Sequence, residues 1–308
     1  MKSAQAEKVE IREARNVPYA PSIERAMGPE PAQQASDPGP YAELASLCPL
    51  GAFDSGFGGL SVVADLRRLL PDEDIIYYGD NANCPYGGRS DEWLRARCLE
   101  ITDFLLGEGA KAIVVACNTA SAAGLEHLRA IHGVPIVGLV PAVKPAVAAT
   151  RTGRIGVFAT HATIRGQLLA DVIERFAAPA GVEVVTVAPE GFVEAVERGD
   201  PQGPDAERAV RRSIAPMLER GVDAIVLGST HYPFLKPVLR KVAGEGVQLI
   251  DSGEGVARQT RRVLEARHLL HPPGERGSLT VYTSGDPEVL GPLVWRMVGE
   301  DVAVKSGA

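Results

Sequence analysis

From Leu50 onward, short apolar runs alternate with stretches whose apolar positions recur at helical spacing. The runs Leu50–Phe53, Asp74–Tyr78, Ala112–Ala116, Pro135–Leu139, Arg154–Phe158, Glu183–Val187, Ala224–Leu227 and Gln248–Ile250 are the predicted strands. Most are continuous and rich in Val and Ile, the pattern of parallel strands covered on both faces. Between them, Gly59–Leu70, Asp91–Glu108 and Asp205–Arg220 carry helical periodicity. Regular alternation of strand and helix predicts an open α/β sheet with helices on both sides. Residues 1–48 lack that pattern and are rich in Ala, Pro, Glu and Gln. Such a stretch buries too little apolar surface to offset its ordering entropy, so it reads as a disordered extension. A later start at Met27 would also account for part of it.

The pattern repeats along the chain. GAKAIVVACNTA (Gly109–Ala120) aligns with GVDAIVLGSTHY (Gly221–Tyr232), GVPIVGL (Gly133–Leu139) with GVQLIDS (Gly246–Ser252), and GAFDSGFG (Gly51–Gly58) with GVFATHAT (Gly156–Thr163). Three ordered matches at nearly constant offset predict two pseudo-symmetric open α/β domains whose mainly parallel sheets face each other across a cleft. The expected division is residues 49–145 plus about 250–308 in the first domain and about 146–249 in the second.

Ligands bind beyond the carboxyl ends of strands in open α/β sheets. There the run Ala112–Ala116 is followed by Cys117-Asn118-Thr119, and its repeat partner by Gly228-Ser229-Thr230-His231. A reactive group on each of two opposed walls suits chemistry on both faces of one carbon, as racemisation requires. A thiol has an unperturbed pKa of about 8.5, and a helix N-terminus is expected to lower that of Cys117 towards a thiolate base. Asn118, Thr119 and the free N–H groups of the next helix suit a carboxylate. Asp54-Ser55-Gly56 follows the first strand, and Asp80 and Pro85-Tyr86-Gly87 follow the second. The bland reading of Asp54 is an N-cap for the Gly59–Leu70 helix.

Charge and composition remove several classes. A net charge of −7 and a pI near 5.5 argue against a nucleic-acid partner. No apolar run is long enough to span a membrane, and no secretory signal is read at the start. The four cysteines and six histidines show no metal-binding spacing. A cytoplasmic protein that needs no metal or cofactor is expected. Cys98 reads as a packing residue, Cys84 as structural with a place at the cleft mouth the alternative, and Cys48 as the junction of the extension with no role; His127, His132, His161, His268 and His271 read as packing or surface residues.

FDSGFGGLSV, GDNANCPYG, ACNTASA, PAVKPA, GSTHYPFLKPVL and IDSGEGVA together resemble the glutamate racemase family, of the aspartate/glutamate racemase superfamily, from about Gly51 to near the end of the chain. The resemblance implies cofactor-independent, two-base racemisation of glutamate, supplying D-glutamate for peptidoglycan. It implies substrate contacts from Asp54, Ser55, Tyr86, Gly87, Asn118, Thr119, Thr230 and His231. Cys117 is then one base, assisted by Asp54, with His231 assisting the other. The family's acidic residue in its LVE-like segment falls on Glu197, in FVEAVERG. Dimerisation is common in the family, although no motif here fixes a mode for a homodimer.

One departure bears on mechanism. The family's second motif reads GCTHYP, and its cysteine is the second base, whereas this chain has Ser229 in that place. A hydroxyl is far less acidic than a thiol, so His231 would have to carry most of the proton transfer. Cys84 in CPYG is also unusual for the family. Three readings stay open: a racemase using Ser229 and His231, a relative with one-sided Cys117 enolate chemistry such as decarboxylation or isomerisation, and a catalytically impaired ligand-binding paralogue.

Overall fold

The computed structural model describes residues 44–300 and 302–307; all but the last five residues of the extension read at 1–48 lie outside them. Among the described residues, ten strands form two sheets. The first contains β1 (Leu50–Asp54), β2 (Ile75–Gly79), β3 (Ala112–Val115), β4 (Ile136–Gly138), β9 (Leu279–Thr283) and β10 (Val304–Ser306), in the order β10-β9-β2-β1-β3-β4. The second contains β5 (Arg154–Phe158), β6 (Glu183–Val187), β7 (Ala224–Leu227) and β8 (Gln248–Ile250), in the order β6-β5-β7-β8. All pairings are parallel.

The repeat seen in the sequence reappears as topology. β2-β1-β3-β4 and β6-β5-β7-β8 have the same order, so β1, β3 and β4 correspond to β5, β7 and β8. Register agrees as well: Gly51 pairs with Ile113 in one sheet and Gly156 with Ile225 in the other. Both glycines are required by close packing. A Cβ at Gly51 would lie 2.9 Å from Ile113 Cδ1, and one at Gly156 would lie 2.6 Å from Met217 Sδ.

The unbroken apolar runs become strands buried on both faces, as β1, β3 and β7 are throughout. Successive side chains point to opposite faces. Accordingly, Ala112 and Val114 join one core cluster and Ile113 and Val115 another. In the second sheet, Ile225 and Leu227 separate from Ala224 and Val226 in the same way. Helix α1 (Leu60–Leu69) buries Leu60, Val62, Val63 and Leu66. Helix α2 (Asp91–Gly107) starts at Ser90, whose side chain accepts the Trp93 N–H, with Asp91 and Glu92 in its first turn. Helices α3 to α6 are Asn118–Ile131, Val143–Ala149, His161–Arg165 and Gln167–Val172; α7 is Phe192–Glu197, α8 Pro204–Glu219, α9 Lys236–Ala243, α10 Gly253–Ala266 and α11 Pro287–Val298.

In each sheet the earliest strand is flanked on opposite sides by the next two of its repeat. The carboxyl ends of β1 and β3, and of β5 and β7, therefore mark topological switch points where a crevice opens. No helix among the described residues is long and apolar enough to cross a membrane.

Candidate active site

The two switch points meet. Asp54 closes β1 with a fully buried carboxylate; Oδ1 accepts the Ser55 N–H at 2.7 Å and the Ser55 hydroxyl at 3.3 Å. Its Oδ2 accepts the Thr230 hydroxyl at 2.8 Å, from the loop after β7. The N-cap of α1 is Gly59, with no side-chain cap, so Asp54 does not serve that helix. Ser61 Oγ donates to the Thr230 carbonyl at 2.9 Å, adding a second bond between the walls.

Cys117 is the N-cap of α3, and its Sγ accepts the Ala120 N–H at 3.5 Å. The Ser55 hydroxyl lies 4.0 Å from that sulfur. The sequence-based expectation of a lowered thiol pKa is corrected here: it is pushed well above its ordinary value. Burial is the main cause, and the neighbouring Asp54 charge adds to it. The helix N-terminus acts in the expected direction through Ala120 N–H but is outweighed. Burial also raises the Asp54 carboxyl, against the lowering influence of His231 and of hydrogen bonds from Cys117 and Thr230.

On the opposite wall, Ser229, Thr230 and His231 are buried, and Ser229 Oγ accepts the His231 N–H at 3.5 Å. His231 Nε2 and Glu197 Oε1 are 2.5 Å apart. Glu197 ends α7 and also accepts the Phe57 N–H at 3.2 Å and Asn81 Nδ2 at 3.3 Å, both from the first half of the chain. Burial opposes charge on both partners, but their mutual hydrogen bond and attraction win. His231 is raised above its ordinary value, and Glu197 is held below the usual carboxylate range.

Glycine at 58 permits this junction. A Cβ there would lie 2.6 Å from both His231 Nδ1 and Thr230 Oγ1. Gly58→Ala is therefore expected to destabilise the fold by about 1–3 kcal/mol through overpacking and to depress activity. Urea unfolding reads the first effect; an unchanged midpoint would show that the loop yields without cost.

Asp80, Tyr86 and Gly87 divide differently. Asp80 is buried and accepts Tyr86 Oη at 2.6 Å, Arg97 Nε at 2.9 Å, Arg97 Nη2 at 2.8 Å and Ser284 Oγ at 2.7 Å. Burial works against its charge, but these donors, led by Arg97, hold its pKa below the ordinary value. Asp80 thus orders the loop carrying Tyr86, whose hydroxyl it occupies, while Gly87 is exposed beyond it. Thr119 is half-buried beside Asn118 in the first turn of α3.

Asn118, Ser229 and Thr230 line a cavity of about 10 Å³ shared by the two walls, roughly the space for one water. Asn118 Oδ1 is buried without a protein hydrogen-bond partner, so an N–H group of a ligand would satisfy it. A roomier cavity of about 320 Å³ is lined by α1 residues with Arg276, Val298 and Glu300. Volume alone does not locate chemistry: the smaller space is lined by Asn118, Ser229 and Thr230, the chain neighbours of Cys117 and His231.

Sequence reasoning did not single out Ser61, Asn81 or Arg97. Asn81 lies in GDNANCPYG and Ser61 in FDSGFGGLSV, which are usable signals; Arg97 sits on a helix and looks like an ordinary surface position. Nor did spacing show that the Cys84, Glu197 and His231 donor atoms all come within 4.8 Å of one another.

The family model for Asp/Glu/Hydantoin racemase matches residues 59–260. A glutamate racemase from Herpetosiphon aurantiacus is 51% identical over 239 residues, covering 78% of this chain and 93% of that protein. The crystal structure of a glutamate racemase from Bacillus anthracis superposes with a TM-score of 0.77 at 31% identity, covering 85% of this chain and 97% of that one. The Escherichia coli glutamate racemase, solved with L-glutamate and the activator UDP-MurNAc-ala, gives a TM-score of 0.75 at 33% identity over 85% of this chain and 98% of that one.

Proposed function

Because the chain belongs to the glutamate racemase family, within the Asp/Glu/hydantoin racemases, we propose that it interconverts L- and D-glutamate by moving the α-proton between two opposed walls. The observation that supports this best is the direct junction of Asp54, beside Cys117, with Thr230, beside Ser229 and His231. A thiolate at Cys117 takes the α-proton from one face, leaving the electron pair delocalised into the substrate carboxylate. The opposite face then receives a proton from the imidazolium of His231, directly or through the Ser229 hydroxyl. His231 bears that charge because Glu197 stabilises it. Asp54, its own pKa raised by burial, is placed to hold the proton that Cys117 gives up before attack.

Ser55, Asn118, Thr119, Thr230 and the Tyr86–Gly87 loop surround the substrate in this reading, with Asp80 acting through Tyr86. No cofactor enters any step. D-glutamate for peptidoglycan is the corresponding product, made in the cytoplasm. The first domain comprises 49–145 with about 250–308, and the second about 146–249.

Incubation with L- and with D-glutamate in deuterated water tests the proposal. Interconversion with deuterium at the α-carbon is the expected result. Exchange from one enantiomer without interconversion would instead favour one-sided Cys117 chemistry. Measurable glutamate binding with no exchange from either enantiomer would sink both.

A further inference from the structure

Cys84 takes no part in the proton transfer proposed above, yet its thiol lies beside two groups that do. It follows the 3-10 turn Asn81–Asn83 and is half-buried. Its Sγ, a carboxylate oxygen of Glu197 and a ring nitrogen of His231 all lie within 4.8 Å of one another. The loop of Gly56 approaches the same point: a Cβ there would sit 2.7 Å from Glu197 Oε1 and 3.1 Å from Cys84 Sγ. Two of the donors are already fixed in orientation, His231 Nε2 by its 2.5 Å contact with Glu197 and Glu197 by its bonds from Phe57 and Asn81.

The donor set is chemically selective. One thiolate, one imidazole and one carboxylate suit zinc and its neighbours, whereas magnesium and calcium prefer oxygen alone. Bond lengths of about 2.0–2.3 Å to a tetrahedral ion put ligand atoms roughly 3.3–3.7 Å apart, so side-chain shifts of about 1 Å, which part His231 Nε2 from Glu197 Oε1 and draw Cys84 Sγ inward, would reach that geometry. Three protein ligands leave a fourth position for water or a substrate group.

We propose that Cys84, Glu197 and His231 form a binding site for a zinc-class divalent cation. Binding releases the thiol proton and any proton on the imidazole to solvent, and metal–ligand bonds replace the His231–Glu197 hydrogen bond. The ion then occupies the imidazole needed to return the α-proton, so it inhibits racemisation reversibly. Binding stands on the three donor atoms alone; inhibition rests also on the role proposed for His231.

Titration of the full-length protein with cobalt(II) reads the site directly. A thiolate-to-cobalt charge-transfer absorption saturating at one ion per chain is expected. It should vanish in Cys84→Ser, persist in Cys117→Ser, and be displaced by zinc. Zinc should inhibit the wild type, a chelator should restore activity, and Cys84→Ser should need at least about tenfold more zinc for the same inhibition. Absence of the absorption, its survival in Cys84→Ser, or its loss in Cys117→Ser alone would overturn the site. Cys84-dependent cobalt binding without zinc inhibition would uphold the site and remove the inhibitory step, pointing back to the role of His231.

Discussion

Cys117→Ser is expected to lower kcat/KM for glutamate racemisation by roughly 10³-fold, within the range for loss of a general acid–base group. The exchange is nearly isosteric at a buried position whose sulfur already accepts the Ala120 N–H and neighbours the Ser55 hydroxyl, so the fold should hold. What changes is acidity. A thiol pressed upward by burial and by Asp54 is already a reluctant acid, and an alcohol there is effectively never ionised. Ser55, Asn118 and Thr119 are untouched, so KM should move far less than kcat, the signature of an interaction made mainly in the transition state. L- and D-glutamate have equal free energy in water, so the two directions share one kcat/KM and must fall together. Circular dichroism of the product mixture measures both; a variant within threefold of wild type would remove Cys117 from the mechanism.

The reverse experiment on the other wall should raise the rate. Ser229→Cys places a thiol where the hydroxyl now accepts the His231 N–H, beside the small cavity shared with Asn118. That space accommodates the longer C–S bond. A far more acidic group should replace one that can only relay, and a gain of about 10²-fold in kcat/KM is the expectation. The largest change should appear in the proton step on that face, so α-deuterium wash-in relative to inversion should fall towards a fixed ratio. An unchanged rate would mean that His231 already performs the step without help, and that the missing thiol imposes no limit.

Much of the architecture was legible because the strands are buried on both faces. Continuous runs such as AIVV in β3 and AIVL in β7 have few other places to go, and the internal repeat carried over directly into strand order. β9 was not predicted. Its sequence LTVYT alternates and is only partly buried, and it pairs with β2, which lies far back in the chain. The strand-end residues Asp54, Cys117 and His231 were readable from position. Their pairings were not, because Asp54–Thr230 joins loops from different sheets, His231–Glu197 joins the loop after β7 to the end of α7, and no local pattern encodes either. The thiol of Cys117 shows the same limit: the helix terminus is visible in sequence, whereas the larger opposing effects of burial and Asp54 exist only once the chain has folded.

The bonds that tie the walls together have a consequence for how affinity should be understood. Asp54–Thr230, Ser61–Thr230, Glu197–Phe57 and Glu197–Asn81 all join residues of the first half of the chain to residues of the second. A substrate that enters between them must part these bonds, so it binds an opened fraction of molecules and the observed dissociation constant is the intrinsic one divided by that fraction. Under the two-wall mechanism proposed above, tight closure would protect a carbanion from solvent protons but weaken apparent binding by the same free energy. On that reading KM partly measures the cost of parting the walls, and product departure is governed by the same opening.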